Sequence, residues 1–128
     1  MPAPKVGHFR SERAREHYLG VYRAAMADLP PVGEQADMPT SFGTVRVYRF
    51  DGPSHRTPVV LLPGRNASTP MYGDNLPPLI ERRTVYCVDL LGEAGISVQD
   101  QTITGPDDQA QWLDEALAGL GLDSVHLL

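Results

Sequence analysis

The chain has 128 residues, enough for one domain whose core buries very roughly two-thirds of the unfolded surface. Its composition is that of an ordinary globular protein, and its net charge of −5 argues against nucleic acid or an anionic membrane as the main partner. A single cysteine, Cys87, excludes an internal disulfide framework, and Cys87 reads as a small buried hydrophobe within a strand. The N-terminus has no apolar signal region, and no run approaches the ~18 apolar residues of a membrane span. A cytoplasmic location is therefore expected.

After a polar lead-in over 1–10, Ser11 reads as the N-cap of a helix with Glu12 in its first turn. Ala14, Tyr18, Val21, Tyr22, Ala25, Met26 and Leu29 recur at helical spacing as an apolar stripe, and Pro30-Pro31 ends it. Residues 32–42 read as a linker that becomes extended near Met38–Phe42. Thr44–Phe50 then alternates imperfectly, as a strand with one wetter face. Asp51–His55 is a turn, and the strands around it are expected to form an antiparallel edge.

Thr57–Leu62 is a short apolar run rich in β-branched residues, which suits a strand buried on both faces of a parallel sheet. It stops at Pro63-Gly64, followed by the polar loop Arg65-Asn66-Ala67-Ser68. That break lies at a strand's carboxyl end, where open α/β sheets bind ligands. Met71–Arg83 is predicted to carry a short helix capped by Asp74, with Pro77 and Pro78 tolerable near its first turn. Thr84–Leu90 is the next strand, leading into a loop through Ser97. Pro106 opens another helix with Asp107 and Asp108 in its first turn. Ala110, Leu113, Ala116, Leu117 and Leu120 form its apolar face, and Gly121 ends it. Asp123–Leu128 reads as the start of another buried strand. Strand, helix, strand, helix, strand at this spacing predicts right-handed βαβ units and a mostly parallel sheet.

Familiar nucleotide and metal motifs are missing: no G-x-G-x-x-G, no G-x-x-x-x-G-K-[ST], no C-x-x-C and no H-E-x-x-H. His8, His17, His55 and His126 are scattered without metal-ligand spacing, so no metal and no cofactor is expected. His126 reads as a core or edge histidine. Asp107-Asp108 reads as helix-terminus acids.

Three stretches together resemble the first half of an α/β-hydrolase. They are Val59–Gly64, Arg83–Gly92, and Ala110–Leu113 leading on to Leu120–Leu128. In that superfamily the first is usually strand-His-Gly, and here Pro63 stands for the histidine. The second is usually Asp-x-x-Gly-x-Gly-x-Ser, matched by Asp89, Gly92, Gly95 and Ser97 with one extra residue between the glycines. The third introduces the strand that ends in the nucleophile elbow. The amphipathic N-terminal helix and the Met38–Phe50 lead-in are similar to a bacterial esterase-like branch. The resemblance implies a partial α/β-hydrolase fold: a mostly parallel sheet with an antiparallel N-terminal edge and flanking helices. It divides the chain into a helix and linker, 1–37, and the N-terminal half of the hydrolase domain, 38–128.

The resemblance also implies a role for the loop after Leu62. Acyl transfer passes through a tetrahedral oxyanion that fixed N–H donors stabilise. In this family one donor follows the nucleophile and the other lies on this loop, by position the backbone N–H of Arg65 beside Gly64. Gly64 lets the chain pass close to the substrate, Asn66 and Ser68 are expected to steady the loop by side-chain hydrogen bonds, and the Arg65 guanidinium could favour an anionic group. An ordinary strand-to-helix loop is the competing reading. Asp89 reads as a structural acid at a strand end. No G-x-S-x-G occurs in the chain, so nucleophile, acid and histidine are expected after Leu128, and 1–128 alone is expected to be inactive.

The expected function is therefore the N-terminal portion of a serine hydrolase acting on small esters, partnered by the C-terminal half of the fold in the same or a second chain. A non-catalytic truncated module acting in protein–protein interaction is the alternative. A flavodoxin-like phosphate-binding domain is weaker, because it lacks a Gly-rich loop.

Overall fold

The computed structural model describes residues 3–128. Helix α1 (Glu12–Ala27) begins where Ser11, in extended backbone, accepts the Ala14 N–H at 3.1 Å. Its buried face is carried by Leu19 and Tyr22, while Val21 of the predicted stripe is 58% exposed. Strands β1 (Glu34–Thr40) and β2 (Gly43–Phe50) form an antiparallel hairpin. The expected linker thus becomes a strand at Glu34, and the predicted division at 37/38 falls within it. β1 hides in sequence because it is an edge strand with mostly exposed, polar residues and Pro39, which edge strands admit.

β2 does not pair with the next strand, β3 (Val59–Leu61), across the 51–55 turn as expected. Its other neighbour is β4 (Val85–Val88), antiparallel, and β4 pairs with β3 in parallel. A short β5 (Val98–Gln99) continues along β2 beyond the end of β4, and β6 (His126–Leu127) runs parallel to β3. The order β1-β2-β4-β3-β6 follows, with β5 off the path. Between β3 and β4, one predicted helix resolves into a 3-10 turn (Thr69–Tyr72) and α2 (Leu76–Ile80). Asn75, not Asp74, holds the cap position, and no side chain caps it. Pro77 and Pro78 fall in the first turn, where a missing N–H costs nothing.

Both faces of the sheet are covered, including both faces of β2. Tyr48, Phe50, Val59, Leu61, Val85 and Cys87 pack under α1 and α2 through Tyr22 and Leu76. Val45, Val47, Val60 and Val88 pack on α3 (Pro106–Gly119) through Trp112 and Ala116. Ala110, expected on that face, is exposed, and Trp112 takes the core position, its indole N–H donating to Gln109 Oε1 at 2.7 Å. Gly121 ends α3 at φ 73°, as a C′ glycine should. The predicted buried strand at 123–128 is short and exposed: Leu127 and Leu128 are 51% and 66% accessible. Among the described residues, one of its edges is paired, with β3.

Candidate functional site

The sheet alternation puts Arg46, Tyr48, Cys87 and Asp89 on the α1 face, and two loops leave the carboxyl ends of β3 and β4 side by side. After β3, Pro63 is buried, whereas Gly64, Arg65 and Asn66 are exposed. Ala67 N–H donates to Gly64 O at 3.2 Å, closing a turn whose third residue, Asn66, has φ 60°. Asparagine tolerates that left-handed conformation better than most residues. Among the described residues, neither the Gly64 nor the Arg65 backbone N–H has an acceptor. Nothing lies within 4 Å of where a Gly64 side chain would begin.

The expected side-chain support from Asn66 and Ser68 is not what holds this loop. Asn66 contributes its backbone N–H, given to Glu93 Oε2 at 2.8 Å. Ser68 accepts the Met71 N–H through its carbonyl, at 3.1 Å, and makes no side-chain cap. The anchor is Thr69, fully buried, whose N–H and hydroxyl both donate to Asp89 Oδ1 at 3.0 and 2.7 Å.

Asp89 is itself completely buried at the end of β4. Its Oδ2 accepts the Ile96 N–H at 3.0 Å and the Tyr22 hydroxyl at 2.5 Å. Four donors fill the acceptor sites of a carboxylate. The backbone is tied as well. Asp89 N–H donates to Arg46 O at 3.0 Å, and Ser97 bridges the other side, donating to Asp89 O at 2.6 Å and accepting Arg46 N–H at 2.8 Å. Gly95 has φ 122°, and a Cβ there would lie 2.7 Å from Asp89 Cγ, so the position admits only glycine. Asp89, Gly95 and Ser97 of the pattern thus form one closed knot, while Gly92 turns the chain beside it at φ 77°.

Helix α1 reaches this knot twice. The Gly95 N–H donates to the Tyr18 hydroxyl, and Tyr22 sits between Asp89 and Tyr48, whose hydroxyl is 2.8 Å from its own. Arg46 Nη1 donates to Tyr48 Oη at 3.2 Å, and Arg46 is gripped by both oxygens of Asp37 at 2.6 and 3.0 Å. Burial, then the charge and hydrogen bond of Asp89, hold the Tyr22 phenol well above its ordinary pKa. The Asp37 hydrogen bonds likewise raise Arg46. Burial, with the Asp89 charge second, pushes the Cys87 thiol up to about 12. Sequence reasoning took Tyr22 as one more apolar stripe residue. Its hydroxyl, on the same helical face as the core, was the available signal.

Among the described residues no group of three His, Cys, Asp or Glu side chains could hold a metal ion, and His8, His17, His55 and His126 are separate and exposed. No helix among them is long and apolar enough to cross a membrane.

Comparison with solved structures shows that this mixed sheet with its flanking helices is a partial α/β-hydrolase fold. The chain superposes on carboxylesterase CesB (YbfK) of Bacillus subtilis with a TM-score of 0.81 at 24% identity, over 88% of this chain and 39% of that one. It superposes equally well, TM-score 0.81 at 26% identity, on the naproxen esterase (carboxylesterase NP) of the same organism, over 94% of this chain and 41% of the other. In sequence it is 26% identical over 111 residues to the uncharacterized carboxylesterase nap of Bacillus subtilis, which is 87% of this chain. The chain spans about 37% of the length of the curated relatives it matches. No family model matches it.

Proposed function

We propose that these residues form the N-terminal part of a serine hydrolase of carboxylesterase type, acting on small-molecule esters. The Arg65 backbone N–H supplies one oxyanion donor, with Gly64 giving substrate access. The observation that carries this is the Arg65 N–H itself: a donor without an acceptor, at the carboxyl end of a central strand, on a loop pinned at Thr69. Such a donor stabilises the tetrahedral oxyanion more than the planar ester, which is what accelerates acyl transfer.

The serine, acid and histidine lie outside these 128 residues, and the C-terminal half of the fold supplies them. β6 supports this, since Leu128 N–H donates to Val60 O at 3.0 Å and Leu62 N–H to Leu128 O at 2.8 Å. A strand continued in that register would bring its next residues alongside Pro63-Gly64, near the proposed donor. The unpaired outer edge of β6 is where the missing strands would add. A cytoplasmic location fits the one cysteine, held as a buried free thiol.

The test is Arg65→Pro in the complete protein, assayed with p-nitrophenyl acetate. Arg65 occupies the second position of the Gly64–Ala67 turn, which accepts proline, so the turn is kept while the N–H is deleted. Turnover should fall about 10²–10³-fold, as for loss of one oxyanion donor. Full turnover by Arg65→Pro, or by isolated 1–128, would refute the reading.

A further inference from the structure

We infer that helix α1 belongs to the catalytic frame, with Tyr22 and Asp89 as positioning residues that set the oxyanion loop after β3. The inference rests on the function proposed above. Thr69 follows Arg65 closely in the chain, and its N–H and hydroxyl have one anchor, Asp89 Oδ1. The orientation of that carboxylate is in turn set at Oδ2 by Ile96 N–H and the Tyr22 hydroxyl, while Gly95 closes the space beside it.

The direction of each hydrogen along this path is forced. Arginine can only donate and a carboxylate can only accept. Arg46 therefore donates to Tyr48, Tyr48 to Tyr22, and Tyr22 to Asp89. Removing the Tyr22 hydroxyl takes a donor from Asp89 Oδ2 and the acceptor from Tyr48 at once. The carboxylate then keeps the Ile96 N–H as its one donor at Oδ2, and its looser hold passes to Thr69 through Oδ1. Loops that hold reacting groups tolerate little such movement, because a misplacement of about 1 Å can cost about a hundredfold in rate. A purely structural helix would act through its apolar packing, which Tyr22→Phe preserves.

The experiment uses the complete protein and two readouts. In Tyr22→Phe, kcat for p-nitrophenyl acetate should fall about 10-fold with KM within about twofold, and Asp89→Asn should fall further, about 100-fold. The double variant should be no worse than Asp89→Asn, because both act through one carboxylate. Amide hydrogen exchange gives the second readout: the Thr69 N–H should exchange about tenfold faster in Tyr22→Phe, with α1 and α3 exchanging as in the wild type. Unchanged exchange at Thr69, or a uniform rise across helices and sheet, overturns the inference. A wild-type protein without ester turnover would sink only the function reading, since exchange at Thr69 would still decide whether Tyr22 holds the loop.

Discussion

The loops leaving β3 and β4 are neighbours built in opposite ways. The β4 loop turns inward: Asp89 is inaccessible, both its oxygens are filled, and its glycines sit at φ values of 77° and 122° that other residues resist. The β3 loop turns outward, with Gly64, Arg65 and Asn66 exposed and two backbone donors left open. The difference is a division of labour. Open donors cost little at a water-exposed surface and are useful only if they are held still, and the adjoining loop spends its own polar groups holding them.

The contrast is broken most severely by Asp89→Ala. It takes the acceptor from the Thr69 and Ile96 donors and leaves the buried Tyr22 hydroxyl with Tyr48 alone, so stability should drop by about 3–5 kcal/mol, read as the shift in urea midpoint. A matched pair of glycine substitutions comes next. Gly95→Ala drives a methyl into Asp89 and forces a strained φ, which should cost about 3 kcal/mol. Gly64→Ala meets open space and should stay within about 1 kcal/mol of wild type. Equal losses from the two would erase the asymmetry between the loops.

Alkaline pH probes the buried groups. Cys87 is raised from 9.0 to about 12 and Tyr22 is raised as well, so the folded state holds protons that the unfolded chain releases. Their contribution is complete below pH 9 and is lost as pH climbs toward 12. Melting temperature should therefore fall steadily over that window, and Cys87→Ala should flatten the fall. The smallest effect belongs to the open loop: Arg65→Ala keeps the backbone N–H and should change stability by no more than about 0.5 kcal/mol, with turnover retained. A large loss of turnover in Arg65→Ala would shift the role from the backbone to the guanidinium.

Elements with local causes were legible in the chain. Ser11 caps α1, Pro106 opens α3 and Gly121 closes it, since each depends on residues a turn away. The α/β-hydrolase fold followed from three motifs in order. The parallel pairing of β3 with β4 and β6 was legible from the alternation of strand and helix, but the partner of β2 was not, because β2 meets β4 rather than its successor in sequence and no local signal reports on a partner dozens of residues distant. The site shows the same limit. Arg65 and Gly64 could be placed by position, but Asp89 looked like any acid at a strand end. Its four donors come from Tyr22, Thr69 and Ile96, brought together only by folding. The expected brace at Asn66 and Ser68 was one residue short of the real one at Thr69.

The lone thiol of Cys87 offers a built-in clock. It lies on β4, between β2 and β3, with no accessible surface. Being the one cysteine of these 128 residues, it has no rival among them for a thiol reagent. Fraying at the termini or at the outward loop would leave it untouched, and only opening of the central sheet would bring it to the reagent. The rate at which a disulfide reagent reaches Cys87 therefore counts openings of the sheet's centre, without any engineered label.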